Sequence, residues 1–223
     1  MQQHNNEHFP SELSSQLVSI ITTEHYNLQT GRSISTSETN GRSSLFVGAV
    51  SSGLIALTFV GQISHLGTAF FVFSLVVIPT LVFMGLITFE RLLQSGSTDF
   101  LYARGVNRIR QLYLEYAPQL QNYFILPAQD DRGGTLRHEE MSTTWVQVFF
   151  NAAGMIAVIN SVLVGSFVGL LLVVFSLPLW VCTSTGVVAF LVSVVIHQRY
   201  QWDQWMRLER NLPIIFPGQP GES

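Results

Sequence analysis

The sequence is short of charge and lacks one kind of basic residue altogether. Only 11% of its 223 residues are charged, whereas a typical soluble domain has about 25%. Lysine is absent, so arginine supplies all 11 basic side chains. The net charge of −3 gives no basic field of the kind that predicts a nucleic-acid partner. The lone cysteine, Cys182, excludes an intrachain disulfide framework. These shortages argue against an ordinary water-soluble enzyme.

Two long stretches contain no Asp, Glu, Lys or Arg. The first runs from Ser43 to Phe89 (47 residues) and the second from Met141 to Gln198 (58 residues). A membrane span needs about 20 residues, so each stretch is long enough for two crossings and too long for one. The sequence therefore predicts an all-α integral membrane protein with four transmembrane helices arranged as two hairpins.

The remaining pattern divides the chain into six segments. We expect a disordered tail at 1–10, a cytoplasmic amphipathic helix and lead-in at 11–42, a first transmembrane hairpin at 43–89, a cytoplasmic helix and loop at 90–144, a second hairpin at 145–197 and an interfacial tail at 198–223. The Ser/Thr-rich stretch 33–39 weakens the prediction that the N-terminal helix continues into the first span. A separate helix is predicted from Ser97, with Ser97 or Thr98 as its cap, and Pro118 ends it.

The arginines set the expected orientation. The turns predicted at 64–68 and 176–178 contain no arginine, so all 11 lie in segments that two hairpins leave on one side. The positive-inside rule makes that side the cytoplasm. We therefore expect both termini in the cytoplasm and the protein in the plasma membrane. Some 42 polar and mixed residues precede the first apolar run, so we expect insertion through the first span rather than a signal peptide.

Small residues recur at helical spacing within the predicted spans. Gly165 and Gly169 form one such pair, Gly48 with Ser52 a second, and Gly53 with Ala49 a third. Small residues allow close helix approach in lipid. They predict helix packing within the four-helix bundle or, alternatively, between copies in a homo-oligomer.

The spans contain few strongly polar side chains. Asn160, with Ser161 beside it, is expected deep in the membrane, where it forms an interhelical hydrogen bond or lines a polar path. Asn151 is a second intramembrane polar candidate. Pro79, near the middle of the second span, predicts a kink.

The segment between the hairpins holds the best candidate ligand surface. Arginine suits phosphate and tyrosine can stack on a base. The predicted surface therefore binds an anionic lipid headgroup or a nucleotide, and it comprises Tyr102, Arg104, Arg108, Arg110, Tyr113 and Tyr116. The sequence has no catalytic motif and no metal-ligand spacing, so we expect no cofactor and no enzymatic activity.

Four stretches also carry a family resemblance: TTEHYNLQTGRS, SETNGRSSLFVGAVSS, YARGVNRIR and AAGMIAVINSVL. They resemble an uncharacterised bacterial family of small four-span membrane proteins, from Thr22 to Gln201. This resemblance implies the fold and a membrane location but no activity. A polar helix that runs into a two-span hairpin is also similar in architecture to the two-span effector domains of nucleotide-signalled antiphage systems. That likeness implies a response at the membrane to a cytoplasmic signal.

The leading functional hypothesis is a non-enzymatic multi-pass membrane protein that oligomerises in the lipid bilayer and responds to a cytoplasmic ligand. The alternative is an oligomeric channel or facilitator for a small neutral solute, lined by Asn160.

Overall fold

The computed structural model describes residues 15–137 and 151–218. The tail expected at 1–10 and the first residues of the hairpin expected at 145–197 lie outside these residues. No described residue forms a β-strand, and four of the helices are long and apolar enough to cross a membrane. The prediction of an all-α protein with four apolar helices is therefore confirmed. The helices are α1 (Ser15–Ile63), α2 (Thr68–Tyr116), a 3₁₀ helix (Pro118–Tyr123), α3 (Arg132–Arg137), α4 (Ala152–Val174) and α5 (Leu179–Asn211).

Helix α1 continues through the stretch that was expected to weaken it. The hydroxyl of Ser35 lies 2.7 Å from the Ser95 hydroxyl on α2, and Thr39 donates to the same Ser95 oxygen at 3.0 Å. Hydroxyls that bond across to a neighbouring helix no longer compete with their own backbone for hydrogen bonds. The Ser/Thr-rich stretch is therefore a contact between α1 and α2 rather than a break.

Helix α2 is likewise one element where two were expected, and the predicted cap at Ser97 or Thr98 is wrong. Ser97 donates to the carbonyl of Leu93 at 2.9 Å, and Thr98 donates to that of Gln94 at 3.0 Å. Each hydroxyl thus bonds one turn back, as in a helix interior, instead of accepting an N–H at a helix start. The helix ends at Tyr116, just before Pro118, as predicted.

Both predicted turns are confirmed. The first lies between α1 and α2, where His65 and Leu66 have positive φ values of 48° and 57°. Gly67 is required there, since a Cβ on it would stand 2.8 Å from the Ser64 carbonyl oxygen. The second lies between α4 and α5, where Ser176 has a φ of 59°.

Asn151 begins α4 as its N-cap. Its side-chain Oδ1 accepts the backbone N–H of Gly154 at 2.7 Å. That bond satisfies one of the donors that a helix start leaves unpaired. The sequence predicts Asn151 as an intramembrane polar side chain, and the structure places it at the start of α4, bound to the first turn of that helix.

The chain divides into two compact units. We call the first the polar unit; it contains α1 up to Ser33, then Phe100–Met141, and finally Ile214–Ser223. We call the second the bundle unit; it contains Ile34–Asp99 and Ser142–Pro213. Helices α1 and α2 therefore each supply residues to both units.

The bundle unit is apolar both inside and out. Its core comes from α1 (Phe46, Val50, Leu57), α2 (Ile78, Leu81, Phe89, Leu92) and α4 (Ala153, Ile156, Ala157, Leu163). Large apolar residues such as Leu45, Ile55, Val76 and Phe83 are exposed on its outer faces. A surface of this kind fits a lipid environment. Helix α5 differs, because the residues it buries are small or polar: Cys182, Gly186, Ser193, His197, Gln198 and Gln201.

Candidate functional site

The predicted small residues of α4 lie where α4 meets α5. A Cβ on Gly165 would stand 2.7 Å from the carbonyl oxygen of Gly186, and one on Gly186 would stand 2.9 Å from that of Gly165. Gly169 is less tight, with 3.4 Å to the Cys182 carbonyl oxygen. Two facing glycines let the backbones approach closely. Gly186 is not among the residues predicted from the sequence, although its position four residues after Cys182 marks a stripe of small residues on α5.

The predicted small residues of α1 differ in their surroundings, because Gly53 packs against α2 whereas Gly48 and Ser52 are exposed. A Cβ on Gly53 would stand 2.8 Å from Leu81 Cδ1 on α2. Gly48 has nothing within 4 Å of its Cβ position, and Ser52 is exposed. Gly53 is therefore a packing position within the chain, whereas Gly48 and Ser52 leave an open face.

Asn160 is fully buried (0% exposed) and links α4 to α5. The His197 Nδ1 lies 2.8 Å from the backbone oxygen of Ser193 and must donate to it, because a carbonyl only accepts. His197 Nε2 lies 3.4 Å from Asn160 Nδ2, and it is the acceptor there because an amide nitrogen only donates. The other amide atom, Oδ1, has no partner among the described residues and lies against Gly85 on α2, where a Cβ would overlap it.

Ser161 and Pro79 have local roles. The buried Ser161 hydroxyl donates to the Ala157 carbonyl at 2.7 Å, within its own helix. Pro79 lies inside α2, which is helical on both sides of it. Neither residue joins Asn160 in a polar path through the described bundle.

The six predicted ligand residues of α2 do not form one exposed surface. Arg104 is only 4% exposed, and its guanidinium lies 5.1 Å from the centre of the Phe100 ring. Arg110 is also buried, at 9% exposure. Tyr102 lies against Gly31 of α1. The helix therefore uses much of its arginine and tyrosine face for contacts within the polar unit.

Arg108 pairs with the carboxylate of Asp130, a residue that the sequence predicts only as part of a loop. Its Nε donates to Asp130 Oδ2 at 2.8 Å, and Asp130 is fully buried (0% exposed). The same carboxylate accepts the backbone N–H of Phe216 at 2.8 Å and of Ile215 at 3.1 Å. Burial by itself raises the pKa of Asp130, but the bonds from Phe216, Arg108 and Ile215 outweigh it and hold the pKa below its usual value.

Asp131 continues this attachment of the C-terminal segment. Its Oδ1 accepts the N–H of Gly134 at 2.7 Å, and its Oδ2 accepts the N–H of Gly218 at 2.9 Å. The turn to Gly134 follows from the Asp-Asp-Arg-Gly-Gly sequence. The bond to Gly218 spans 87 residues and has no local signal.

Arg110 is buried among neutral partners. Its Nη1 donates to Asn107 Oδ1 at 2.8 Å and, more weakly, to the Pro127 carbonyl at 3.4 Å. Burial lowers the pKa of Arg110, and the nearby charge of Arg32 lowers it further. Asn107 was missed by the sequence analysis, although its position three residues before Arg110 places the two side chains together on a helix.

His25 of α1 lies near Arg110. Its ring centre is 6.4 Å from that of Tyr113, and its Nε2 is 2.8 Å from Gln29 Nε2. Burial, followed by the positive charge of Arg110, lowers the pKa of His25. Nothing in the sequence singles out His25, because its neighbours Tyr113 and Arg110 lie on α2.

The described residues contain no group of three or more His, Cys, Asp or Glu side chains able to hold a metal ion. No protein-family model, curated protein or solved structure matches the chain.

Proposed function

We propose that this chain is a non-enzymatic, four-span membrane protein that responds to an anionic ligand. The polar unit receives the ligand, and the bundle unit carries the response in the bilayer. The observation that carries the proposal is Arg110. It is a buried cation whose hydrogen-bond partners are a neutral amide and a carbonyl, with the charge of Arg32 nearby.

A buried cation without a carboxylate partner is costly, because burial removes the water that stabilised its charge. Asp130, the buried carboxylate of the polar unit, is bound to Arg108 instead. An anion that approaches Arg110 therefore gains a charge-assisted contact without displacing a carboxylate from it.

The proposed topology rests on the arginines. All 11 lie outside the apolar stretches that form the two hairpins, and the positive-inside rule then puts both termini and the polar unit in the cytoplasm. On this account the membrane is the plasma membrane. A lipid headgroup or a soluble nucleotide would both reach the polar unit from that side.

Oligomerisation in the bilayer is part of the proposal. The open face at Gly48 and Ser52 has the small-residue spacing of helix contacts in membranes, and no part of the described chain covers Gly48. A second copy of the chain fits this face.

The alternative, an oligomeric channel for a small neutral solute, has less support. Asn160 is fully buried and its amide nitrogen is directed to His197. A path lined by Asn160 would require α4 and α5 to separate, whereas Gly165 and Gly186 hold them close.

Thermal unfolding in phosphatidylcholine nanodiscs tests the proposal. Ligand binding to the native state raises the apparent stability, so pyrophosphate, used as the probe anion, should raise the Tm relative to chloride at equal ionic strength. Arg110→Gln should remove this shift. Arg91→Gln, which changes an exposed arginine of the same helix, should keep it. An unchanged Tm of the unmodified protein in pyrophosphate would refute the proposal.

A further inference from the structure

We propose that an anion bound at Arg110 loosens the attachment of the C-terminal segment, residues 215–218, to the rest of the polar unit. This inference rests on the proposed function and specifies how its ligand acts. A continuous series of hydrogen bonds leads from Arg110 through Asn107 to a loop at residues 127–131, and from that loop to the segment. We call residues 127–131 the aspartate loop, because its carboxylates hold the segment.

Two side chains one turn apart on α2 hold the backbone of the aspartate loop. Asn107 Nδ2 donates to the Gln129 carbonyl oxygen at 2.8 Å. Arg110 Nη1 donates to the Pro127 carbonyl oxygen at 3.4 Å. The position of the loop on α2 therefore depends on where these two side chains point.

Asn107 is the bridge between Arg110 and the loop. It is fully buried (0% exposed) and uses both ends of its amide, since Oδ1 accepts from Arg110 Nη1 at 2.8 Å while Nδ2 donates to Gln129. If Arg110 moves, the buried Oδ1 loses its partner, which costs free energy. The side chain of Asn107 then has to find a new arrangement, and its bond to Gln129 is weakened with it.

An anion can reach Arg110 only if the surroundings of its side chain change. Arg110 is 9% exposed, and a closely packed interior has no room for a second group of the size of phosphate. The guanidinium must therefore turn outward or the aspartate loop must yield. A phosphate-type anion carries the opposite charge and accepts two guanidinium N–H groups at once, so it competes well against the neutral amide and carbonyl that now bind Arg110.

The C-terminal segment depends on the aspartate loop because it is held through its backbone. The loop carboxylates accept every N–H that the segment has, namely those of Ile215, Phe216 and Gly218. The remaining position is Pro217, which has no N–H. The side chain of Ile215 is 54% exposed, so apolar burial contributes little there. A shift of the loop carboxylates is therefore felt directly by these three amides.

The segment also continues the chain beyond α5, which ends at Asn211. A change in its attachment is thus passed along the chain to the end of a helix of the bundle unit. The ion pair of Arg108 with Asp130, at 2.8 Å, does not involve Arg110. We therefore expect the segment to loosen and not to leave the polar unit completely.

Amide hydrogen exchange of the whole protein in phosphatidylcholine nanodiscs tests the inference. Saturating pyrophosphate should speed exchange at Ile215, Phe216 and Gly218 about tenfold, the effect of weakening about one hydrogen bond. The increase should persist in Arg91→Gln, which changes an exposed arginine of α2, and should be absent in Arg110→Gln. The titration of the unmodified protein does not depend on the folding of either variant.

The outcomes separate this inference from the proposed function. If pyrophosphate raises the Tm but exchange at the three amides is unchanged or slower, the inference is wrong and the proposed function stands. If pyrophosphate does not raise the Tm, both fail. Phosphatidylglycerol nanodiscs distinguish the sources of the anion: fast exchange without pyrophosphate identifies the lipid headgroup, and exchange that stays slow until pyrophosphate is added identifies the free anion.

Discussion

Asp130 and Asp131 act at the scale of single residues by holding the C-terminal segment through its backbone. Their carboxylates accept N–H groups of Ile215, Phe216 and Gly218. Asp130 also binds Arg108. The sequence could predict the loop that contains the two aspartates from its turn residues, but not the partners, which lie more than 80 residues away along the chain.

Removing the charge of Asp130 should loosen this segment. Hydrogen bonds to charged groups contribute about 1.5–3 kcal/mol, so Asp130→Asn should lower the local opening free energy by about 2 kcal/mol. Hydrogen exchange at the amides of Ile215 and Phe216 should then be about 30-fold faster. Asp203→Asn, at an exposed position on α5, is the control and should leave these amides unchanged. Equal protection in Asp130→Asn would show that the carboxylate does not hold the segment.

The same attachment should depend on pH in one direction. The pKa of Asp130 is lowered in the folded protein, so its contribution is complete above the unfolded value of about 3.9 and is lost as the pH falls through the lower folded value. Protection factors of Ile215 and Phe216, corrected for intrinsic exchange, should therefore stay constant from about pH 8 to pH 5 and fall only below about pH 4. Loss of protection near pH 6 would contradict this assignment.

At the scale of elements, the stretches without charged residues predict the positions of the four apolar helices better than they predict where those helices begin and end. The four apolar helices, both turns and the stop before Pro118 could be predicted, because each depends on local chemistry. The continuity of α1 and α2 could not. It depends on contacts such as Ser35 with Ser95, which join residues 60 positions apart. The same holds for the candidate site. The arginines of α2 can be selected from the sequence, but the α1 residues that lie next to them cannot.

The crossing of α4 and α5 should be intolerant of one added methyl group. A Cβ on Gly186 would stand 2.9 Å from the Gly165 backbone oxygen, which cannot move aside as a flexible side chain can. Gly186→Ala should therefore lower the free energy of unfolding by about 1–3 kcal/mol. Unfolding by sodium dodecyl sulfate in mixed micelles measures this. Gly169→Ala, with its nearest contact at an ordinary 3.4 Å, is the matched control and should be nearly neutral. Equal stability of the two variants would mean that the glycine contact does not set the crossing.

At the scale of the whole molecule, the open face of α1 provides a test of assembly. Gly48 and Gly41 both have nothing within 4 Å of their Cβ positions, so leucine at either site should leave the packing within one chain unchanged. Only Gly48 belongs to the small-residue pair with Ser52. Gly48→Leu should therefore reduce the detergent-corrected mass from that of an oligomer to that of a monomer, and Gly41→Leu should not. A monomeric unmodified protein would exclude assembly through this face.

We expect an anion bound to the polar unit to change the packing of the bundle unit, and chemical labelling of the lone cysteine measures this change directly. Cys182 on α5 is 1% exposed, so a maleimide should label it slowly in phosphatidylcholine nanodiscs. Saturating pyrophosphate should change the labelling rate several-fold in the unmodified protein and in Arg91→Gln, and should have no effect in Arg110→Gln. A labelling rate that is the same with and without pyrophosphate, at a concentration that raises the Tm, would show that the anion does not change the packing around Cys182.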